Sequence, residues 1–143
     1  MSPRHKTLIL LIPGFPGNEA DSTCLPAQQS MVRVINQLYP ALRIIIVAFQ
    51  YPFAAHRYQW NGNTVISLGG SNRRGLSRLF TWWKAWQQLK AIRRANDVIG
   101  VFSCWCGECA FVGRYFSAWH RLPHFIWILG QDARKQNKYP GRL

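Results

Sequence analysis

KTLILLIPGFPGNEAD, residues Lys6 to Asp21, joins an apolar run to a loop of glycine and proline, and the rest of the chain is read outward from that junction. Thr7 to Ile12 is too short and too rich in branched residues for a helix, and Pro13, Gly14, Pro16 and Gly17 would break one. The run therefore reads as a buried strand that ends in a loop near Pro13. Asp21, Ser22 and Thr23 then offer side-chain oxygens to cap a helix, with Pro26 tolerated in its first turn. Strand, glycine loop and helix form the opening unit of a nucleotide-type α/β fold. Small residues in that loop let backbone N–H groups and a helix N-terminus approach an anionic or sugar-bearing ligand.

Downstream, Leu25, Val32, Ile35 and Leu38 recur at helical spacing until Pro40. Arg43 to Phe49, RIIIVAF, is a branched run of the kind found in a strand covered on both faces. Gln50 to Asn63 is irregular and aromatic, and closes on an Asn61-Gly62 turn signal. Thr64 to Leu68 reads as a third strand, ended by Gly69-Gly70. Ser71 or Asn72 would cap a long helix over Arg74 to Ala95, with an apolar stripe of Leu76, Leu79, Phe80, Trp83, Trp86 and Leu89. Val98 to Ser103 reads as a fourth strand, Cys106 to His120 as a helix, and His124 to Leu129 as a fifth strand. This order predicts one domain over residues 1–143: a Rossmann-like α/β fold of three layers, α/β/α, around a parallel sheet of about five strands in the order 3-2-1-4-5. The cleft of such a sheet opens at the carboxyl ends of strands one and four. That places Gly14 to Asp21, Cys104 to Glu108 and Gly130 to Arg134 around one crevice.

The charge is +13, from 18 Lys and Arg against 5 Asp and Glu, so the expected partner is anionic: nucleic acid, phospholipid headgroups or a phosphate-bearing substrate. The basic residues of the long helix ring its axis, which weakens a groove-binding reading, and no nucleic-acid-binding motif is present. No apolar run approaches the roughly 18 residues of a membrane span. Arg4 to Lys6 and the aliphatics after them imitate a signal peptide without its length or cleavage site, so a cytoplasmic chain with free thiols is expected. Trp82, Trp83 and Trp86 beside Lys84 read either as core against the sheet or as a belt that docks on an anionic membrane. Cys104, Cys106 and Cys109 have the spacing of a partial zinc set but read better as small packing residues, and no metal is expected. The loop is not G-x-G-x-x-G and no acid follows the second strand, which argues against a nicotinamide enzyme. Glu108, in the first turn of a helix, and Asp132, after the fifth strand, are the carboxylates placed for proton transfer, and each is equally well read as local electrostatics.

LIPGFPGNEADSTCLPAQQ, AFQYP, NGNTVISLGG, FSCWCGECAFVG and ILGQDARKQNKY together resemble, in order along nearly the whole chain, the N-terminal half of a bacterial GT-B glycosyltransferase of the group-one or family-four type. In such enzymes two Rossmann-like domains face each other, the first taking the acceptor and the second most of the nucleotide-sugar donor. The resemblance implies that Gly14, Phe15, Gly17 and Asn18 lie in the loop near the donor phosphates and acceptor, that Gln131 and Asp132 line the interdomain cleft, and that Glu108 faces it. It implies a nucleotide-sugar as substrate with no further cofactor, a glycan or lipid-linked acceptor, and a site at the inner membrane face. The carboxylate-rich donor motif of the second domain has no counterpart in these residues. An acceptor-side half, inactive without its donor domain, is the expected function. A basic nucleic-acid-binding or protein-interaction module is the alternative.

Overall fold

The computed structural model describes residues 4–129. In chain order the elements are β1 (Lys6–Gly14), α1 (Pro26–Leu38), β2 (Arg43–Tyr51), β3 (His56–Trp60), β4 (Asn63–Ser67), α2 (Leu76–Ala95), β5 (Asp97–Cys104), α3 (Glu108–His120) and β6 (His124–Trp127). They form one six-stranded sheet in the order β3-β4-β2-β1-β5-β6. β1 pairs in parallel with β2 and β5, β2 with β4, and β5 with β6, whereas β3 runs antiparallel to β4.

The expected wholly parallel, five-stranded sheet in the order 3-2-1-4-5 is therefore corrected to a six-stranded mixed sheet. The strand that differs is β3, HRYQW, within the stretch expected to be irregular. It forms a hairpin with β4 across Asn61 and Gly62, whose φ angles of 45° and 80° suit the tight turn that matches strand twist. An edge strand of this kind buries only alternate residues. Trp60 is fully buried, Tyr58 partly, and His56, Arg57 and Gln59 face solvent, so the continuous apolar signature is missing.

β1 and β2 alternate between two cores. Leu10, Ile12, Ile44, Ile46 and Ala48 pack with Val65, Phe15 and Trp60 beneath Val32 of α1. Ile9, Leu11, Ile45, Val47 and Phe49 pack beneath Ala85, Leu89 and Ile92 of α2 and Cys109, Val112 and Phe116 of α3. The period of two along each strand sorts successive side chains to opposite faces. Each fully buried aliphatic contributes about 1.5–3 kcal/mol to the drive that holds the helices on the sheet.

The apolar stripe of α2 is corrected in part: Leu89 is buried and Trp86 packs against the core, but Leu76, Leu79, Phe80 and Trp83 do not. Its buried residues are Thr81, Ala85, Leu89 and Ile92, while Leu76, Leu79, Phe80 and Trp83 are 84%, 54%, 59% and 57% exposed. At about 100° per residue the two sets lie on opposite sides of the axis. The helix is apolar on both sides, and the side carrying Thr81, Ala85, Leu89 and Ile92 seats on the sheet. Neither Ser71 nor Asn72 caps it. The cap position is Gly75, at φ 72°. Likewise α1 begins after Leu25, with Pro26 in its first turn and no side-chain cap from Asp21, Ser22 or Thr23.

Under α3, Ser103 is wholly buried, and its hydroxyl donates to the Cys109 carbonyl at 3.1 Å. With that proton committed, the 2.8 Å contact to His124 requires the imidazole Nε2 to carry the hydrogen and donate to Ser103 Oγ. Gly113 crosses directly above, where a Cβ would lie 2.5 Å from Ser103 Oγ and 2.7 Å from His124 Nε2. Burial, and then Arg114, lower the His124 pKa from its ordinary 6.5. Because the folded-state value is depressed, the unfolded chain binds the proton more readily, and the contribution to stability is present above pH 6.5 and lost as pH falls through the folded value. Thermal unfolding between pH 8 and pH 5 should show a midpoint that declines on the acid side, and His124→Gln, which keeps the N–H donor, should flatten part of that decline.

Candidate functional site

β1 lies between β2 and β5, and the chain leaves β1 for a helix on one face and β5 for a helix on the other. Their carboxyl ends consequently diverge, the position at which open α/β sheets form a crevice. Gly14 closes β1 opposite Tyr51, where an added Cβ would come within 3.4 Å of the tyrosine Cβ. Phe15 N–H donates to the Tyr51 carbonyl at 3.2 Å. The Phe15 ring then turns inward, fully buried, with Trp60 edge-on to it at 4.9 Å. Gly17 passes the ring of Pro52, which follows a cis peptide bond from Tyr51.

The rest of the loop is closed on itself and tied to the β3–β4 hairpin. Asn18 Oδ1 accepts from the backbone N–H groups of Ala20 and Asp21. Asp21 Oδ1 accepts from the Thr23 hydroxyl and from the N–H groups of Thr23 and Cys24, bonds that hold its carboxyl below the usual carboxylate range. Tyr58 donates its hydroxyl to the Pro16 carbonyl at 2.7 Å, and Glu19 accepts from Asn61 N–H at the same distance. Thus the glycine loop is a fixed shelf at the end of β1, bonded within itself and to the hairpin.

On the far side of β1, both oxygens of Glu108 are engaged. Oε1 accepts from Gln50 Nε2 at 2.5 Å and Oε2 from Trp82 Nε1 at 2.9 Å, with Arg78 Nε 3.7 Å away. Gln50 Oε1 in turn accepts from Asn72 N–H at 2.7 Å. One amide therefore joins the end of β2, the β4–α2 loop and the start of α3. Gly70 is required beside it, since a Cβ there would lie 2.5 Å from Gln50 Oε1 and 2.7 Å from the Phe49 carbonyl oxygen.

Of the residues singled out from sequence, Gly14 at the end of β1, Gly17 and Asn18 in the loop and Glu108 at the start of α3 stand at this one edge of the sheet, and Phe15 serves the core. Gln131 and Asp132 lie outside the described residues. Gln50 escaped notice because a lone amide at a strand end has no spacing signature. The exposed rings of Tyr51 and Phe53, 5.1 Å apart and edge to face, were lost in an aromatic stretch. Cys104 and Cys109 are buried free thiols. Burial pushes Cys104 up to about 12 and Cys109 well above its ordinary value, which disfavours the thiolate that a metal or an electrophile requires. Among the described residues no group of three His, Cys, Asp or Glu side chains is arranged to hold a metal ion.

A cavity of about 690 Å³ opens at the opposite, amino-terminal edge, lined by Lys6, Leu38, Tyr39, Leu42 and Ile99 among others. It has apolar walls without a carboxylate, and the strand topology places no crevice there. No protein-family model matches the chain, and neither the curated proteins nor the solved structures contain a significant match to it.

Replacing Gly70 by alanine should lower the free energy of unfolding by about 1–3 kcal/mol, as overpacking against backbone does. Gly17→Ala, where a new Cβ meets only the Pro52 ring at 3.7 Å, an ordinary contact, should change it by less than about 0.5 kcal/mol. Urea titrations of the two variants check the pair.

Proposed function

We propose that this chain is the acceptor-side half of a glycosyltransferase, receiving a glycan or lipid-linked saccharide at the carboxyl edge of its sheet while a donor domain presents the nucleotide-sugar. The supporting observation is the shelf itself: Gly14 and Gly17 bring bare backbone to the end of β1, and the exposed rings of Tyr51 and Phe53 stand beside it. Aromatic faces offer a saccharide ring a surface for its C–H groups, while its hydroxyls bond to backbone and amide groups. The fixed loop lowers the ordering cost of binding. The motif resemblance named above supplies the reaction class.

In this reading Glu108 is a positioning residue. Its oxygens are occupied by Gln50 and Trp82, so it holds the rim in shape and exchanges no proton with substrate. The chain alone has shelf and acceptor contacts, and the nucleotide is held by the opposing domain.

Titrating an isotopically labelled sample with short oligosaccharides should shift the amide resonances of Gly14, Gly17, Asn18 and Tyr51, and Tyr51→Ala should weaken that response several-fold. UDP-, GDP- and ADP-sugars should produce little response on their own. Tight binding of a nucleotide-sugar by this chain alone, or saccharide shifts confined to the opposite edge, would contradict the reading.

A further inference from the structure

The outward side of the α2–α3 layer is a surface the sheet does not use. On α2, Leu76, Leu79, Phe80 and Trp83 point away from the core, and on α3 Phe111 and Tyr115 are 49% and 56% exposed. On the side of α2 that faces α3, the Trp82 ring lies 5.0 Å from Phe111, itself 4.9 Å from Tyr115. Large apolar side chains gathered on one side of a basic protein mark a contact surface rather than scattered exposure.

Charge decides what the contact is. α2, LSRLFTWWKAWQQLKAIRRA, contains no acid, and the only acid of α3 is Glu108, which Gln50, Trp82 and Arg78 already engage. Arg73 and Arg74 are exposed just before the first turn of α2. Farther along, Lys90 and Arg94 fall within about 30° of the line through Leu76 and Trp83 when the helix is wound at about 100° per residue. The outward side of α2 is thus apolar in its first half and basic in its second. Beside Leu76 and Phe80 opens a cleft of about 340 Å³, lined also by Gly69, Gly70, Arg73 and Lys84. Lys84 there donates to the Leu68 carbonyl and lies over the Phe80 ring, which leaves Arg73 as the cation offered to a phosphate beside two apolar walls. Among the described residues no helix is long and apolar enough to cross a membrane. The chemistry is that of an exposed apolar patch with cations beside it, placed to meet the headgroup plane with the cations at the phosphates.

We infer that the outward side of the α2–α3 layer docks on an anionic lipid bilayer, with Leu76, Leu79, Phe80 and Trp83 entering the interface and the arginines around them meeting lipid phosphates. The inference stands on exposure and charge alone and does not depend on the glycosyltransferase reading. A second copy of the chain would bring the same cations against each other, which disfavours self-association through this side.

The test is co-sedimentation of the full chain with vesicles of phosphatidylcholine alone and of phosphatidylcholine with phosphatidylglycerol. Binding should require the anionic lipid and weaken with salt. The variant Leu76→Ser/Phe80→Ser/Trp83→Ser keeps every charge, so it should lose binding at least about tenfold if apolar entry contributes. Its thermal midpoint should stay near that of the parent, because all three side chains are solvent-exposed. Unchanged binding by this variant would reduce the effect to bulk charge and overturn the inference. Equal binding to neutral vesicles, no binding to either, or a concentration-dependent dimer that the same substitutions abolish would overturn it as well.

Discussion

The hydrogen bond from Gln50 to Glu108 joins the end of β2 to the first turn of α3, the helix that follows β5, across the end at which β1 gives way to the glycine loop. A parallel sheet has no hairpin at that edge, so past the last backbone bonds of the ladder the connecting segments are held together by side chains. Here a carboxylate in the first turn of α3 is favourably placed by the helix dipole and by an amide and an indole that fill both its oxygens. The second oxygen ties in α2 through Trp82, and the amide oxygen ties in the β4–α2 loop through Asn72. Four segments distant in sequence thus meet at one acid.

That arrangement separates the two proposed roles by direction. The carboxyl edge carries backbone, amides and two aromatic rings over a fixed loop, a surface fit for a polar, ring-shaped ligand. The outward side of α2 and α3 carries bulky apolar groups among cations, a surface fit for a charged interface. α2 belongs to both, because its inner side seats on the sheet through Thr81, Ala85 and Leu89 while its outer side presents Leu76, Phe80 and Trp83.

Much of the sheet could be read from residues because a doubly covered strand is apolar throughout, as Arg43 to Phe49 shows. β3 could not, since an edge strand with one half-wet face carries Arg57 and Gln59 where a central strand carries aliphatics. The facing of α2 is not legible for the converse reason: the helix is apolar on both sides, so residue polarity alone does not select the seat. At the rim, glycine loop and Glu108 were visible as a motif and a first-turn acid. The partner that gives Glu108 its role was invisible, because Gln50 and Glu108 are 58 residues apart. Phe15 shows the reverse case, a residue inside a ligand-loop motif whose ring belongs to the core.

The claim that Glu108 acts through Gln50 as a strut at the sheet edge is tested most directly by a double-mutant cycle. Unfolding free energies of Gln50→Ala, Glu108→Ala and the double variant separate the pair from the other bonds each makes. The account predicts that the two losses overlap by about 1.5 kcal/mol or more, the range for a hydrogen bond to a charged group. Losses that add to within about 0.3 kcal/mol would show that the two side chains act independently, and would contradict it.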